Sequence, residues 1–205
     1  MTLQRLARAA APAVALTLAI GLAGCITLFP KPNPQQLYRF GADVPPAAGG
    51  QTAAFTVRDD GLDFDKTAGT DQILIINGDQ AGYIDGGRWA SPAPILFDNA
   101  VHHGFDVAGG RVRMLGDTDP GKADLLLSMS VTRFEARGQG TGAPTVTVRL
   151  HAILTRQDTL AVVGDQVFEA NAPASDNRIG PIVDAFDQAT TKVVGDMVAW
   201  VNSAR

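Results

Sequence analysis

The sequence predicts one α/β domain of the α+β type, built on a mixed, mostly antiparallel sheet that helices cover. Two patterns predict this fold class. Three long segments of alternating apolar and polar residues follow one another between residues 123 and 170, with short connections that favour an antiparallel meander. Apolar residues at intervals of three and four then predict an amphipathic helix from Pro181 to Asn202. With 205 residues, 45% of them hydrophobic, the chain can bury the core of a single compact domain.

The N-terminal end of the chain has the parts of an export signal. Two arginines precede an apolar run from Ala9 to Ala23, and the small residues at the end of this run lead to Cys25. The run is shorter than the roughly 20 apolar residues of a membrane-spanning helix and contains Pro12. We therefore predict a signal peptide over residues 1–24 and not a membrane span.

The segment Leu22-Ala23-Gly24-Cys25 resembles the lipobox of bacterial lipoproteins. By this resemblance the peptide is cut before Cys25, whose thiol then carries a diacylglycerol and whose amine carries a further acyl chain such as palmitate. Two membrane signals suffice for stable anchoring, so three acyl chains predict a permanent anchor. In enterobacterial lipoproteins an aspartate after the cysteine commonly retains the protein at the inner membrane. Ile26 stands there, which favours the periplasmic face of the outer membrane.

Composition limits the attachments of the mature chain. Residues 25–35 include three prolines within five residues, which predicts an extended tether in front of a domain over 36–205. The formal charge of −4 includes Arg5 and Arg8, so removal of the signal makes the chain more acidic. An acidic surface argues against nucleic acid, whose phosphates need clustered lysines and arginines. Cys25 is the only cysteine, so no disulfide can form within the chain.

The first half of the domain shows short elements. We predict strands at 37–40, 53–58, 72–76, 80–85 and 112–115. Asp59-Asp60-Gly61 is expected to end the second strand and to open an irregular or short helical connection up to Thr70. Asn77-Gly78 predicts a tight hairpin turn. A helix is expected from about Pro92 to Gly104, with Ile95, Leu96 and Asn99 on one face.

The second half shows the clearest alternation. Strands are expected at 123–137, 145–157 and 160–170. The apolar alternate residues that should face inward are Leu125, Leu127, Met129 and Val131, then Val146, Val148, Leu150, Ala152 and Leu154. On the last helix the apolar stripe comprises Ile182, Phe186, Ala189, Val193, Met197 and Trp200 or Val201. Packing of this stripe on the sheet is the favoured interpretation, and contact of its end with a partner is the alternative.

Little in the sequence indicates catalysis. It contains no Gly-x-Ser-x-Gly elbow, no phosphate-binding loop and no dinucleotide fingerprint. His102 and His103 would point about 100° apart on a helix and could not easily share a metal. The run of aspartates from 59 to 71 lacks the spacing of a calcium loop and suggests a solvated loop, and His151 suggests a surface residue. We predict no enzyme activity, no catalytic residue, no cofactor and no metal.

The order of these features resembles the ABC-type transport auxiliary lipoprotein family, the PqiC/YmbA-like group. The closest points of resemblance are the strand with Tyr38, the segment Arg88-Trp89-Ala90 and the proline-containing helix start from Ser91 to Ile95. The resemblance covers about residues 36–203. The segment 59–70 departs from the family pattern, which usually has a proline-rich stretch there. The family carries no catalytic residues to transfer.

The resemblance implies a fold similar to the N-terminal domain of TolB. It also implies a non-enzymatic role in an MCE-type system that transports phospholipid between membranes, with an MCE-domain protein and an ABC permease and ATPase as partners. The alternatives are a free-standing lipid binder, which would need an internal apolar pocket, and a structural envelope lipoprotein. Self-association into a homo-oligomer is left open. Trp89 and Trp200 are candidate partner contacts, although either could equally belong to the core.

Overall fold

The computed structural model describes residues 35–41, 53–108, 110–116, 118–138 and 140–204. Eight strands and two helices occur in these ranges. They are β1 (Gln36–Tyr38), β2 (Phe55–Phe64), β3 (Gln72–Asn77), β4 (Gln80–Trp89), α1 (Ala93–Ala108), β5 (Val112–Leu115), β6 (Leu125–Gly138), β7 (Thr145–Arg156), β8 (Val162–Pro173) and α2 (Ile179–Ser203). All eight strands belong to one mixed sheet. The predicted α+β class is confirmed.

The predicted meander forms the long side of the sheet. β6, β7 and β8 pair antiparallel in sequence order, with Leu127 opposite Leu154 and Leu150 opposite Phe168. The residues expected to face inward on β6 and β7 are buried, and those on β7 are completely inaccessible to solvent. The alternation of these strands therefore predicts their orientation correctly.

β6 is the centre of the sheet because both of its edges are occupied. β7 lies along one edge. The other edge is shared by two parallel strands: β2 pairs with the first half of β6, and β3 pairs with its last residues, where Ile75 lies opposite Ala136. β5 extends the sheet beyond β2, and β4 and β1 extend it beyond β3. The long strand of the meander thus joins the two halves of the chain.

β2 is longer than expected. The strand continues through Asp59-Asp60-Gly61 to Phe64, so the predicted loop after Arg58 is wrong. The chain accommodates these residues through a register shift against β6 between Asp59 and Leu62, which is the geometry of a β-bulge. Gly61 within the bulge has a φ of +116°, which residues with a side chain rarely adopt. Pairing with β6 outweighs the local turn preference of the sequence.

The β3–β4 hairpin is confirmed. Asn77 pairs with Gln80, and Gly78 at a φ of +59° begins the tight turn. β4 extends beyond the predicted end at residue 85 and runs to Trp89. This extension pairs with β1 in parallel, with Tyr38 opposite Trp89.

Both helices lie on the same face of the sheet. Phe134 of β6 contacts Phe97 of α1 and Phe186 of α2, with ring centroids 6.3 Å and 4.8 Å apart. The opposite face carries polar pairs across β7 and β8, among them Thr147 with Asn171 at 2.7 Å. The sheet is therefore covered by helices on one face, and polar side chains predominate on the other face along β7 and β8.

α1 departs from its prediction in length and orientation. It continues through Gly104 to Ala108, because Gly104 faces α2 at close range and does not end the helix. Its buried residues include Phe97, Val101 and Phe105, whereas Ile95 is 53% exposed. The buried face of α1 is therefore rotated around the helix axis relative to the predicted face that contains Ile95. α2 agrees with its prediction, since the stripe from Ile182 to Val201 is buried. Neither helix is long and apolar enough to cross a membrane.

Candidate functional site

The predicted site residues lie in different surroundings. Cys25 is outside the described residues. Trp89 is only 1% exposed and packs edge-on against Phe40 and Phe186 at 5.0 Å and 5.3 Å. Of the two alternatives for Trp89, the structure shows the core. Trp89 is therefore not exposed for contact with a partner, because the end of β4 places its ring between the sheet and α2.

Trp200 is partly buried at the end of α2. Its indole packs against Phe168 of β8, with ring centroids 5.6 Å apart. Gly164 makes room for it, since a Cβ there would lie 2.6 Å from Cζ2 of Trp200. Trp200 thus fastens α2 to the outermost strand of the meander. A role in partner contact stays a prediction.

The exposed apolar residues of β8 and of the turn before it form a surface that we call the β8 edge. It comprises Leu160, Val162, Val163 and Val167, which are 69%, 63%, 37% and 43% exposed. Among the described residues β8 pairs only with β7, so its outer backbone edge has no strand partner there. Leu160 has a φ of +56°, which is unfavourable for a leucine. An exposed leucine in a strained turn adds little to the stability of the fold, so its position is more consistent with binding to another molecule.

A second candidate site lies between the two helices. The α1–α2 groove has a volume of about 420 Å³ and is lined mainly by small and apolar residues. Ala100, Gly104 and Ala108 supply one wall, at intervals of four residues on α1. Val194 and Gly195 supply part of the other. The spacing of the small residues on α1 is the sequence signal that would have pointed to this groove.

Three polar side chains line the groove, those of His103, Asp187 and Thr191. The Nε2 atom of His103 is buried and has no hydrogen-bond partner among the described residues. The Oδ1 atom of Asp187 accepts a hydrogen bond from Gly41 N at 2.7 Å, which holds the chain after β1 against α2. An apolar groove with one unsatisfied imidazole nitrogen can bind an apolar chain that carries a single polar group.

The groove continues toward the end of α2. A second depression of about 450 Å³ shares Gly104, Ala108 and Gly195 with the first. The two glycines differ in their surroundings. A Cβ on Gly104 would lie 2.6 Å from Val194, whereas a Cβ on Gly195 would meet nothing within 4 Å. Gly104 therefore brings the helices together, and Gly195 leaves the space between them open.

The remaining histidines and aspartates are separated by the fold. His102 and His103 diverge as expected, His103 toward the groove and His102 toward Asp98, with Nε2 and Oδ1 3.9 Å apart. His151 is partly exposed on the polar face of the sheet, where its Nε2 lies 2.6 Å from Asp165. Asp59 belongs to β2, not to a solvated loop, and its carboxylate lies beside Asp98 and His102. Sequence patterns gave no sign of this grouping.

Comparisons with known proteins agree with the fold. Protein XCC0632 from Xanthomonas campestris, assigned to DUF330, has 22% identity and a TM-score of 0.66, over 83% of this chain and 93% of that one. An uncharacterized protein has 14% identity and a TM-score of 0.59, over 82% and 99% of the two chains. The hypothetical protein CT253 from Chlamydia trachomatis has 9% identity and a TM-score of 0.50, over 74% and 98%. At these identities the similarity concerns the fold alone.

The family comparison is more specific than these structural similarities. No curated protein matches the chain. The model of the ABC-type transport auxiliary lipoprotein component matches residues 43–198, which extend from before β2 into α2. The match includes the β8 edge and all the residues that line the α1–α2 groove except Gly41. This chain therefore belongs to the family of ABC-type transport auxiliary lipoprotein components.

Proposed function

We propose that this protein is a non-enzymatic component of an MCE-type ABC system that transports phospholipid between membranes. It works at the periplasmic face of the outer membrane, together with an MCE-domain protein, a permease and an ATPase. The observation that carries the proposal is the family match over residues 43–198. The segment that resembles a lipobox supports the anchor, and the acidic composition fits a protein that is held at the membrane by lipid.

The anchor is the first part to test. In the proposal, residues 1–24 are removed, Cys25 is acylated, and residues 25–35 hold the domain over 36–205 away from the membrane. Cys25→Ala should leave an unprocessed or soluble protein, which membrane fractionation and mass spectrometry of the N-terminus distinguish from the lipidated form. Normal processing and outer-membrane fractionation of this variant would contradict the proposed anchor.

The partner contact is assigned to the β8 edge. Its four apolar side chains are exposed, and its backbone edge can accept a further strand from a periplasmic transporter subunit. Exposed apolar residues beside an unpaired strand edge otherwise favour aggregation with other chains. Burial of these residues by a partner subunit explains their presence at this edge. Trp200 stiffens this edge through Phe168.

Purification of the lipidated protein from membranes tests the contact. The wild-type protein should recover MCE or ABC subunits, and Val162→Asp should lower that recovery several-fold. Leu37→Asp is the matched control, because Leu37 is an apolar residue of similar exposure on β1, 60% against 63% for Val162. Equal recovery with both variants would reject the β8 edge. Recovery of unrelated proteins alone by the wild type would reject the transport role.

A lipid-binding role is a second candidate, and the α1–α2 groove favours it. An apolar groove of about 420 Å³ offers space for an acyl chain, and His103 Nε2 offers one polar contact. Native mass spectrometry after gentle extraction should then show bound phospholipid. Gly195→Leu should remove that lipid, whereas Gly180→Leu, at a helical glycine with equal free space outside the groove, should retain it. A consistently empty wild-type protein would exclude this role and leave the docking proposal unaffected.

A further inference from the structure

Asp59 occupies a position on β2 where the strand pattern calls for an apolar residue. Side chains alternate between the two faces of a strand, so Asp59 shares the helix-covered face with Val57. Beyond the bulge, Phe64 returns to the same face. Val57 is completely buried and Phe64 is 8% exposed. A carboxylate at such a position breaks the alternation of apolar and polar residues along the strand. A break of this kind is typical of a functional residue.

The β-bulge fixes where this carboxylate lies. The register shift between Asp59 and Leu62 falls directly after Asp59, and bulges commonly redirect a side chain beside a functional site. Gly61 N donates a hydrogen bond of 2.8 Å to Oδ1 of Asp59. A Cβ on Gly61 would meet nothing within 4 Å. A glycine is needed here because of the φ of +116°, and not because another atom lies close to it.

α1 supplies two further ligand groups that face Asp59. Asp98 and His102 are four residues apart and therefore lie one turn apart on the same side of the helix. One oxygen of each carboxylate and one nitrogen of the imidazole all lie within 4.8 Å of one another. The three residues come from two elements that converge only in the folded chain.

We propose that Asp59, Asp98 and His102 form a binding site for a divalent metal ion of the zinc class. Zinc is bound in proteins by imidazole nitrogen and carboxylate oxygen, and two carboxylates neutralise its charge. Donors about 2.0–2.2 Å from a tetrahedral zinc are about 3.3–3.6 Å apart. Nε2 of His102 and Oδ1 of Asp98 are 3.9 Å apart, so small side-chain rotations would complete the geometry.

The surroundings of the cluster suit a metal with an open coordination position. A depression of about 340 Å³, lined by Gly61, Leu62, Pro94 and Ile95 together with the two aspartates, gives access from solvent. The Asp59 and Asp98 carboxylates both line this depression, so a cation between them would balance their negative charges. The proposal is independent of the transport role.

Zinc binding to the full-length protein in detergent tests the proposal. After treatment with a chelator, isothermal titration calorimetry should show one Zn²⁺ bound per chain. Asp98→Asn and His102→Gln should each weaken binding tenfold or more, and circular dichroism should show that both variants remain folded. His103→Gln is the matched control, because this neighbouring histidine lines the α1–α2 groove and should leave zinc binding unchanged.

A spectroscopic measurement separates this site from other zinc ligands. Co²⁺ in place of Zn²⁺ should give the visible absorption bands of a four- or five-coordinate ion, and these bands should disappear in Asp59→Asn. The absence of zinc binding in the wild type would overturn the proposal. Binding that His102→Gln leaves unchanged, or that His103→Gln weakens as much as His102→Gln does, would also overturn it.

Discussion

The meander with α2 and the β2–α1 region use the same sheet face in different ways. In the meander, every inward position of β7 from Val146 to Leu154 is apolar and completely buried, and α2 packs its stripe against them. In β2 the inward positions include Asp59, the strand is interrupted by a bulge, and α1 contributes Asp98 and His102 beside it. The meander keeps the alternation of apolar and polar residues throughout, whereas the β2–α1 region interrupts it where the polar groups of Asp59, Asp98 and His102 meet.

This difference separates stability from chemistry within one domain. The regular region supplies most of the core and the rigid surface from which the β8 edge is presented. The irregular region contains the cluster of ligand groups, and the α1–α2 groove lies where the two regions meet. Sites placed at irregularities on a rigid scaffold can change without loss of the fold.

The largest expected effect concerns the residue that joins the two regions. Phe134 of β6 is 2% exposed and its ring lies near those of Phe64, Phe97 and Phe186. Phe134→Ala should lower the free energy of unfolding by about 3–5 kcal/mol, because it leaves a cavity between the sheet and both helices. Urea denaturation measures this loss. A loss below about 1 kcal/mol would mean that the two regions are stabilised independently of this residue.

The next effect distinguishes the two sides of the α1–α2 groove. Gly104→Ala should lower the free energy of unfolding by about 1–2 kcal/mol, since the new Cβ would lie 2.6 Å from a stiff valine, Val194. Gly195→Ala should raise it by about 0.5–1 kcal/mol, because the site is open and alanine favours a helix. Thermal unfolding of both variants provides the comparison. Equal changes of the same sign would contradict the assigned groove geometry.

A gain in stability is expected at the β8 edge. Leu160→Gly should raise the free energy of unfolding by about 1 kcal/mol, because glycine adopts the φ of +56° without steric cost. Val162→Gly, in the adjoining strand, should lower it and serves as the control. Urea denaturation measures both changes. A destabilised Leu160→Gly would show that the leucine side chain stabilises the hairpin and would remove the argument for its role in binding.

The smallest effect concerns a contact between the start of β6 and β2. Thr56 N and Oγ1 donate hydrogen bonds of 2.7 Å and 2.9 Å to Asp124, and these bonds lower the pKa of its carboxyl below the ordinary 3.8. The resulting stability is present above pH 3.8 and is lost as the pH falls through the lowered pKa. Because Asp124 is largely exposed, Asp124→Asn should cost at most about 1 kcal/mol at neutral pH.

The pH dependence of that cost is the specific test. Urea denaturation of the wild type and of Asp124→Asn at several pH values should show a difference that disappears in strong acid. A difference that stays constant down to pH 2 would assign the effect of Asp124 to something other than its charge.

The sequence predicts the regular region more accurately than the irregular one. The meander strands and α2 were predicted from their sequence with errors of a few residues at their ends, since alternating and helical patterns report directly which side is buried. In β2, Asp59-Asp60-Gly61 indicated a turn, and only pairing with β6 keeps these residues in a strand. For α1, Gly104 indicated an end, whereas contact with Val194 requires a glycine within the helix.

The candidate sites were less predictable than the fold. Trp89 and Trp200 were equivalent in sequence, yet one ring is enclosed by aromatic residues and the other lies at the end of a helix. In the sequence His102 stands next to His103, whereas in the fold its imidazole lies near the carboxylates of Asp98 and of Asp59, which is 43 positions earlier. Neither spacing nor composition relates residues on separate elements.

The sequence by itself determined the family resemblance, the α+β class and the inward faces of the long strands and the last helix. These properties depend on local order: a run of residue types or a period of two or of 3.6 along the chain. The tertiary structure alone decided the bulge in β2, the groove between the helices and the grouping of Asp59 with Asp98 and His102. Each of these depends on contacts between residues far apart in the chain, where packing and pairing outweigh local preference.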